Sequence, residues 1–256
     1  MIQLKQVSFK YEKKEILHQL DLTIKKGKIT TILGPNGSGK STLLHILSRL
    51  NKPSSGEVIM NKENILQMKN KDFAKKVAIV HQRNSAPYDQ SVETIVSYGR
   101  LPYAKFGYSL TKEDYEIIDW ALEVTGTKTI AKENMGSLSG GQAQRVWIAM
   151  ALAQKTDILL LDEPTTYLDI KYQYEILDLI CKLNQEFNLT IVVVLHDLNQ
   201  AIEYSDELIG LKNGKILFQT TKEQLTSNLI EELYDYPLKV AKYENQKLIM
   251  KGSKNE

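Results

Sequence analysis

Cysteine is nearly absent from this chain: one residue, Cys181, among 256. A lone cysteine closes no internal disulfide and builds no cysteine-rich metal cluster, and it fits a reducing compartment. It lies in YEILDLICKLNQ, where apolar residues recur at helical spacing, and reads as a small core residue. An excess of one charge is missing too. The 33 basic and 31 acidic residues leave +2, which argues against a dedicated DNA-binding role but leaves room for a local basic patch. The apolar runs ILLL at 158–161 and IVVVL at 191–195 fall far short of the ~20 residues that span a bilayer. The opening MIQLKQVSFKY alternates like a strand and has no signal-peptide core. The chain taken alone is expected to be soluble and cytosolic. It shows no internal repeat and no low-complexity linker, and it can bury a sizeable core.

What is present is an alternation of strand-like and helix-like stretches. Residues 2–9 and 20–24 alternate apolar and polar, as half-buried strands do. ITTIL at 29–33 ends at a glycine and is followed by the helix-like STLLHILSRL. KPSSGEVIM at 52–60 reads as a turn feeding a strand. VAIV at 77–80, ILLL at 158–161 and IVVVL at 191–195 are continuous apolar runs, typical of parallel strands covered on both faces. IKYQYEILDLICKLNQ, between the last two, is a helix, and ELIGLKNGKILF at 207–218 is a hairpin turning at Asn213-Gly214. From about 88 to 153 the pattern is mostly helical, with TKEDYEIIDWALEVTG starting on a threonine and AQRVWIAMALAQ following. This predicts a helical insertion within an α/β domain. Beyond about 219 a helix (TKEQLTSNLIEELYD), a strand-like piece and a disordered KGSKNE end are expected, with no assignable role.

GPNGSGKS at 34–41 fits the phosphate-loop pattern G-x-x-x-x-G-K-[ST], with the required strand before and helix after. Gly34, Gly37 and Gly39 let the backbone wrap a polyphosphate, with Pro35, Asn36 and Ser38 between them. Lys40 adds a point charge for the β- and γ-phosphates, Ser41 can ligate Mg²⁺, and Thr42 can bond the α-phosphate. ILLLDEP carries Asp162 to a strand's C-terminal edge, placed to hold Mg²⁺ through water, and Glu163 could polarise a water for in-line attack. Paired acids after a strand also serve as helix caps; the phosphate loop in the same chain favours the catalytic reading. LHD at 195–197 ends another strand with His196, which could hydrogen-bond a γ-phosphate or be structural. His18, His45 and His81 have no metal-ligand spacing. LSGGQ at 138–142 offers a second glycine-rich turn opening a helix, a hundred residues from the first and without a lysine.

Together these stretches resemble the ATP-binding cassette (ABC) ATPases, over nearly the whole chain and in family order. GPNGSGKST looks like Walker A, and ILLLDEP looks like Walker B with catalytic Glu163. LSGGQ (Leu138, Ser139, Gly140, Gly141, Gln142) matches the signature without a substitution. Gln82 in VAIVHQRN matches the Q-loop glutamine, which joins Ser41 and Asp162 around Mg²⁺. Asp169 matches the D-loop aspartate, His196 the switch histidine, and Tyr11 an aromatic that stacks on adenine. The resemblance implies a P-loop NTPase (RecA-like) α/β core with a mostly parallel sheet, an N-terminal antiparallel β subdomain and an inserted helical subdomain. Within a single domain, 1–256, the core would be about 1–87 and 154–218, the signature subdomain about 88–153 and the tail about 219–256.

The resemblance also implies a second copy of the chain, head to tail. Each ATP would lie between the Walker A of one copy and the signature of the other. Ser139 and the amides near Gly140 and Gly141 would meet the partner's γ-phosphate, the glycines keeping side chains out of its way. Ala143, Val146, Trp147, Met150 and Ala151 would form a stripe for core packing. A cassette without a membrane span looks like an importer subunit on the cytoplasmic face of the membrane. It would be docked on two permease subunits and served by an extracytoplasmic binding protein. PTTYLDI at 164–170 and SVETIVSYGRLPY at 91–103 resemble the importers of iron(III)-siderophore, haem and vitamin B12. Arg83, Arg100, Tyr103 and Lys105 would line a groove for a permease helix. The nucleic-acid types of the family need a long coiled coil or two cassettes, and the chain shows neither.

Overall fold

Alternating and continuous apolar runs become strands here, and the interposed amphipathic runs become helices. The computed structural model describes residues 1–104, 109–244 and 246–252. In chain order its elements begin with β1 (Ile2–Tyr11), β2 (Lys14–Ile24), β3 (Ile29–Leu33), α1 (Lys40–Leu47), β4 (Ser55–Met60) and β5 (Glu63–Asn64). There follow α2 (Asn70–Ala74), β6 (Val77–Val80), α3 (Val92–Ser97), α4 (Lys112–Val124), α5 (Gly140–Ala153), β7 (Ile158–Asp162) and α6 (Ile170–Phe187). The last are β8 (Thr190–Val194), α7 (Leu198–Tyr204), β9 (Glu207–Lys212), β10 (Lys215–Thr221), α8 (Ser227–Tyr234), β11 (Leu238–Tyr243) and β12 (Gln246–Lys251). Lys105 and residues 253–256 of the expected disordered end lie outside the described residues. No helix among the described residues is long and apolar enough to cross a membrane.

Two compact units result, Met1–Gln67 with Thr190–Glu256, and Met68–Leu189. In the first, β1 lies between β2 and β4 in an antiparallel sheet, Leu4 facing Leu22 and Val58 in register. β3 lies between β8 and β9, parallel to both. Every residue of β3 (ITTIL) and β8 (TIVVV) is buried, the threonines included, which is why neither alternates apolar with exposed polar residues. β9 and β10 form the expected hairpin, with Asn213 and Gly214 both at positive φ (48° and 71°), the twist-matched turn that Asn-Gly favours.

In the second unit β6 and β7 pair in parallel, Val80 opposite Leu161. α5 packs against α3, α4, α6 and β6. Its buried residues include Val146, Trp147, Ile148, Ala149, Ala151, Leu152 and Ala153, so burial wraps the helix instead of following a single stripe. α4 starts on a capping box: the Thr111 hydroxyl accepts from the Asp114 amide at 3.2 Å, and the Asp114 carboxylate accepts from the Thr111 amide at 2.9 Å.

Asp114 also explains Arg100. The Arg100 guanidinium donates to Asp114 at 2.7 Å and to the Ala153 carbonyl at 2.8 Å, and it stacks on Tyr103 with 3.8 Å to the ring centroid. Only 4% exposed, Arg100 ties the ends of α4 and α5 together and does not line a groove. Tyr103 is half-buried and donates its hydroxyl to the Gln154 carbonyl at 3.0 Å. Burial raises the Asp114 pKa, but hydrogen bonds from the Thr111 backbone, Arg100 and the Thr111 hydroxyl outweigh it and hold the carboxyl below the usual range. A depressed folded-state pKa contributes stability that is complete above the unfolded value and is lost as pH falls through the folded one.

Arg100→Ala leaves Asp114 as an unpaired buried carboxylate and should cost about 3–5 kcal/mol in urea unfolding at neutral pH. The loss should shrink on acidification, as Asp114 takes up a proton in the variant first. A pH-independent loss would mean that lost packing, rather than the ion pair, dominates.

Candidate functional site

In the first unit, the parallel pairing of β3 with β8 brings two loops to one sheet edge, since Ile32 pairs with Val194. From β3 the chain enters Gly34–Gly39. Gly34 (φ +151°) approaches β9 so closely that a Cβ would sit 2.0 Å from the Leu211 carbonyl oxygen, which rules out any side chain. The Gly214 amide in the β9–β10 turn donates to the Ser38 carbonyl at 3.0 Å, so the hairpin supports the loop from behind. Lys40, 6% exposed, folds back over the loop and donates to the carbonyls of Gly34 at 2.8 Å and Pro35 at 3.0 Å. Ser41 and Thr42 follow in the first turn of α1, with Asn36 and Gly37 exposed at the tip. The buried Ser38 Oγ has no protein hydrogen-bond partner among the described residues. A buried cation, an unsatisfied hydroxyl and a helix start fit a bound polyphosphate.

β8 delivers His196 to the same edge. Leu195 is buried and His196 is exposed, and Asp197 caps α7 by accepting from the Gln200 amide at 2.9 Å. Tyr11, at the end of β1, is 50% exposed; its ring meets Phe9 edge-on at 4.7 Å, and its hydroxyl accepts from Asn51 at 3.0 Å.

In the second unit, the parallel pairing of β6 with β7 brings Gln82 beside Glu163. Asp162 closes β7 and is 5% exposed. Glu163 takes a positive φ of 49°, unusual for a non-glycine residue, and its carbonyl accepts from the Thr166 amide at 3.2 Å. Its carboxylate receives the side-chain amide of Gln82 and, at 3.2 Å, the Thr166 hydroxyl. Thr166 had no assigned role in the sequence; its position three residues after Glu163 was the only signal. Hydroxyl, amide and carboxylate oxygens are the hard donors that Mg²⁺ takes; Gln82 and Asp162 in this unit, and Ser41 in the first, each carry one of these donor types.

The LSGGQ stretch opens α5. Ser139 is the N-cap: its hydroxyl accepts from the Gln142 amide at 3.3 Å while the Gln142 side chain accepts from the Ser139 amide at 2.9 Å. Gln142 is therefore half of a capping box. Serving as an acceptor leaves the Ser139 hydroxyl proton to donate elsewhere. Leu138 is half-buried, and Gly140 is exposed. Gly141 is buried, and a Cβ there would come within 2.8 Å of the Tyr172 ring. The glycine at 141 is thus required by packing on α6 within the same chain, whatever else meets that turn. Asp169, exposed, precedes α6 in extended conformation without a side-chain cap bond.

The model of the ABC transporter family matches residues 17–166. Over 230 residues the chain is 46% identical to the iron(3+)-hydroxamate import ATP-binding protein FhuC of Bacillus subtilis, spanning 90% of this chain and 86% of that one. It is 42% identical over 236 residues to the petrobactin import ATP-binding protein FpuC of Bacillus anthracis, spanning 92% and 86%. A solved structure assigned to the metal-chelate type of ABC transporter, in an inward-facing conformation, superposes with a TM-score of 0.84 at 29% identity, covering 97% of this chain and 95% of that one.

Gly141→Ala should destabilise the nucleotide-free chain by about 1–3 kcal/mol through overpacking against Tyr172. Adding Tyr172→Ala should cancel most of that increment in thermal unfolding. If Gly141→Ala leaves stability unchanged, the packing account of this glycine is wrong.

Proposed function

The chain belongs to the ABC transporter family, and from that premise we propose that it powers import of an iron(III)-siderophore complex across the cytoplasmic membrane. ATP-binding subunits of such import systems bind and hydrolyse ATP. What supports the cargo reading is likeness over 92% and 90% of the chain to two import proteins, for petrobactin and for iron(3+)-hydroxamate, whose cargoes differ from each other. The siderophore class thus comes with the relatives, and the particular chelate does not. Haem and vitamin B12 belong to the wider group suggested by PTTYLDI.

Residues Gly34–Thr42 hold the phosphates, and Tyr11 stacks on the adenine. Ser41, Gln82 and Asp162 would hold Mg²⁺, which when bound neutralises charge on the phosphate oxygens. Glu163 orients and polarises the attacking water; Gln82 and Thr166 keep its carboxylate in place through the hydrogen bonds described above. His196 hydrogen-bonds the γ-phosphate.

Family cassettes form dimers and work with permease components. Here a second copy would present Leu138–Gln142 to the nucleotide, with the Ser139 hydroxyl and the free amides at the start of α5 as donors. Asp169 would lie at that interface. ATP then joins the two copies and ADP, lacking the γ-phosphate, does not. Unequal affinity for the closed and open states is what lets hydrolysis drive a cycle. The subunit would sit peripherally on the cytoplasmic face, on two permease subunits, with an extracytoplasmic binding protein delivering the chelate and no nucleic acid involved. Residues of about 88–153 would carry the permease contact, with exposed Arg83 at its edge.

Glu163→Gln should retain ATP affinity and accumulate a closed dimer in gel filtration, with hydrolysis reduced by about 100-fold or more. Lys40→Ala should instead raise the ATP Kd. Hydrolysis at the normal rate by Glu163→Gln would remove the base assignment, and unchanged affinity in Lys40→Ala would remove the phosphate role.

The cargo is tested in proteoliposomes holding the complete transporter with its binding protein. A ferric siderophore should stimulate ATP hydrolysis, and haem and cobalamin should not. Stimulation by haem or cobalamin alone would overturn the siderophore reading and leave the ATPase reading intact.

A further inference from the structure

Tyr11 is the residue assigned to the base of the nucleotide, and half of its surface is open to solvent. A tyrosine at a strand end has two side-chain torsions to order, and a ring that its ligand must order binds that ligand more weakly. Here two contacts fix the ring in advance. It meets the buried Phe9 edge-on, with 4.7 Å between centroids and 88° between planes. At its tip the hydroxyl accepts from the Asn51 side-chain amide at 3.0 Å.

Asn51 belongs to the connection between α1 and β4, 40 residues after Tyr11. Its backbone amide donates to the His45 carbonyl of α1 at 3.1 Å. That helix opens with Lys40, Ser41 and Thr42, the residues read as phosphate contacts. The connection has its own bonds to β1. The Ser54 amide donates to the Ser8 carbonyl at 2.8 Å, and the Lys10 amide donates to the Ser54 hydroxyl at 3.0 Å. Those two bonds hold the connection on the strand without the Asn51 side chain. What the side chain adds is a link from the phosphate-loop helix to the Tyr11 ring, from the end of the site that meets phosphate to the end that meets the base.

We propose that Asn51 is a positioning residue for the adenine: it orients the Tyr11 ring from α1, and so presets the span between base platform and phosphate loop before nucleotide arrives. This inference rests on the reading of Tyr11 as the adenine platform. The Asn51 side chain contacts that ring, so its effect belongs to the base. A ligand that has the phosphates and no base does not feel the hydrogen bond, whereas a merely structural role would weaken both ligands alike.

The test uses the purified full chain, with Kd measured by calorimetry for ATP and for inorganic tripolyphosphate, which carries the phosphates without the base. Asn51→Ala should raise the ATP Kd by about fivefold, the scale of one hydrogen bond, and leave the tripolyphosphate Kd within about twofold. Tyr11→Phe, which keeps the ring and loses the acceptor, should give the same shift, and the double variant should be no weaker than either single one. Equal weakening of both ligands in Asn51→Ala would make Asn51 a structural support of α1 and overturn the proposal. So would an unchanged ATP Kd in Asn51→Ala, or additive losses in the double variant. Tyr11→Ala separates the proposal from the reading it rests on, since removing the stack should raise the ATP Kd by about tenfold or more. If Tyr11→Ala leaves ATP binding unchanged, the adenine reading falls and Asn51 falls with it. A loss in Tyr11→Ala with Asn51→Ala unaffected overturns the Asn51 proposal alone.

Discussion

Parallel strand pairing is the constraint on which the rest of this structure depends. A parallel pair ends both strands at one edge, so the loops that follow are delivered together without further design. In the first unit the pairing of β3 with β8 does this for Gly34–Gly39 and His196. In the second the pairing of β6 with β7 does it for Gln82 and the Asp162–Glu163 pair. Burial of every residue in β3, β7 and β8 follows from covering such strands on both faces, and it leaves the chemistry to the residues just past each strand.

The same economy governs the start of α5. A helix N-terminus exposes unsatisfied amides, and capping one of them with Ser139 and Gln142 fixes the geometry of the others. A residue that serves the fold in this way still has a donor to offer a ligand. Ser139 spends its lone pair on the Gln142 amide and keeps its proton. Gly141 admits Tyr172 of α6 on one side, while Gly140 beside it is open to solvent. Two adjacent glycines thus meet different surroundings: a Cβ at Gly141 would press on the Tyr172 ring at 2.8 Å, and one at Gly140 would come 3.3 Å from Leu168.

This division explains what could be read from the sequence. The continuous apolar strands, the Asn213-Gly214 hairpin, the helix start at Thr111 and the phosphate loop are local patterns and fell close to their expected places, whereas the strand expected at 20–24 runs from Lys14 to Ile24. Arg100 could not be read, because its role depends on Asp114 and on the Ala153 carbonyl, fourteen and fifty-three residues away. An arginine beside a leucine and a proline looks like surface until its partner is known. Thr166 and Tyr172 were silent for the same reason: each meets a residue brought near by a turn or a helix contact, and neither belongs to a pattern of its own. Short α7, with seven residues between a cap and a strand, lacked the periods needed to show itself.

The Gln82–Glu163 hydrogen bond carries the argument from fold to coupling. Gln82 lies two residues past the end of β6 and opens the segment that leads to α3, so its side chain links the strand pair to the helical part of the unit. One side chain cannot hold Glu163 with its amide and move away without changing how that carboxylate is presented. Anything that shifts residues 82–91 therefore acts on the group proposed to polarise water, and does so without touching the cargo. Such a route needs no contact with the chelate, so under the proposed function the same hydrogen bond would serve whichever siderophore is carried.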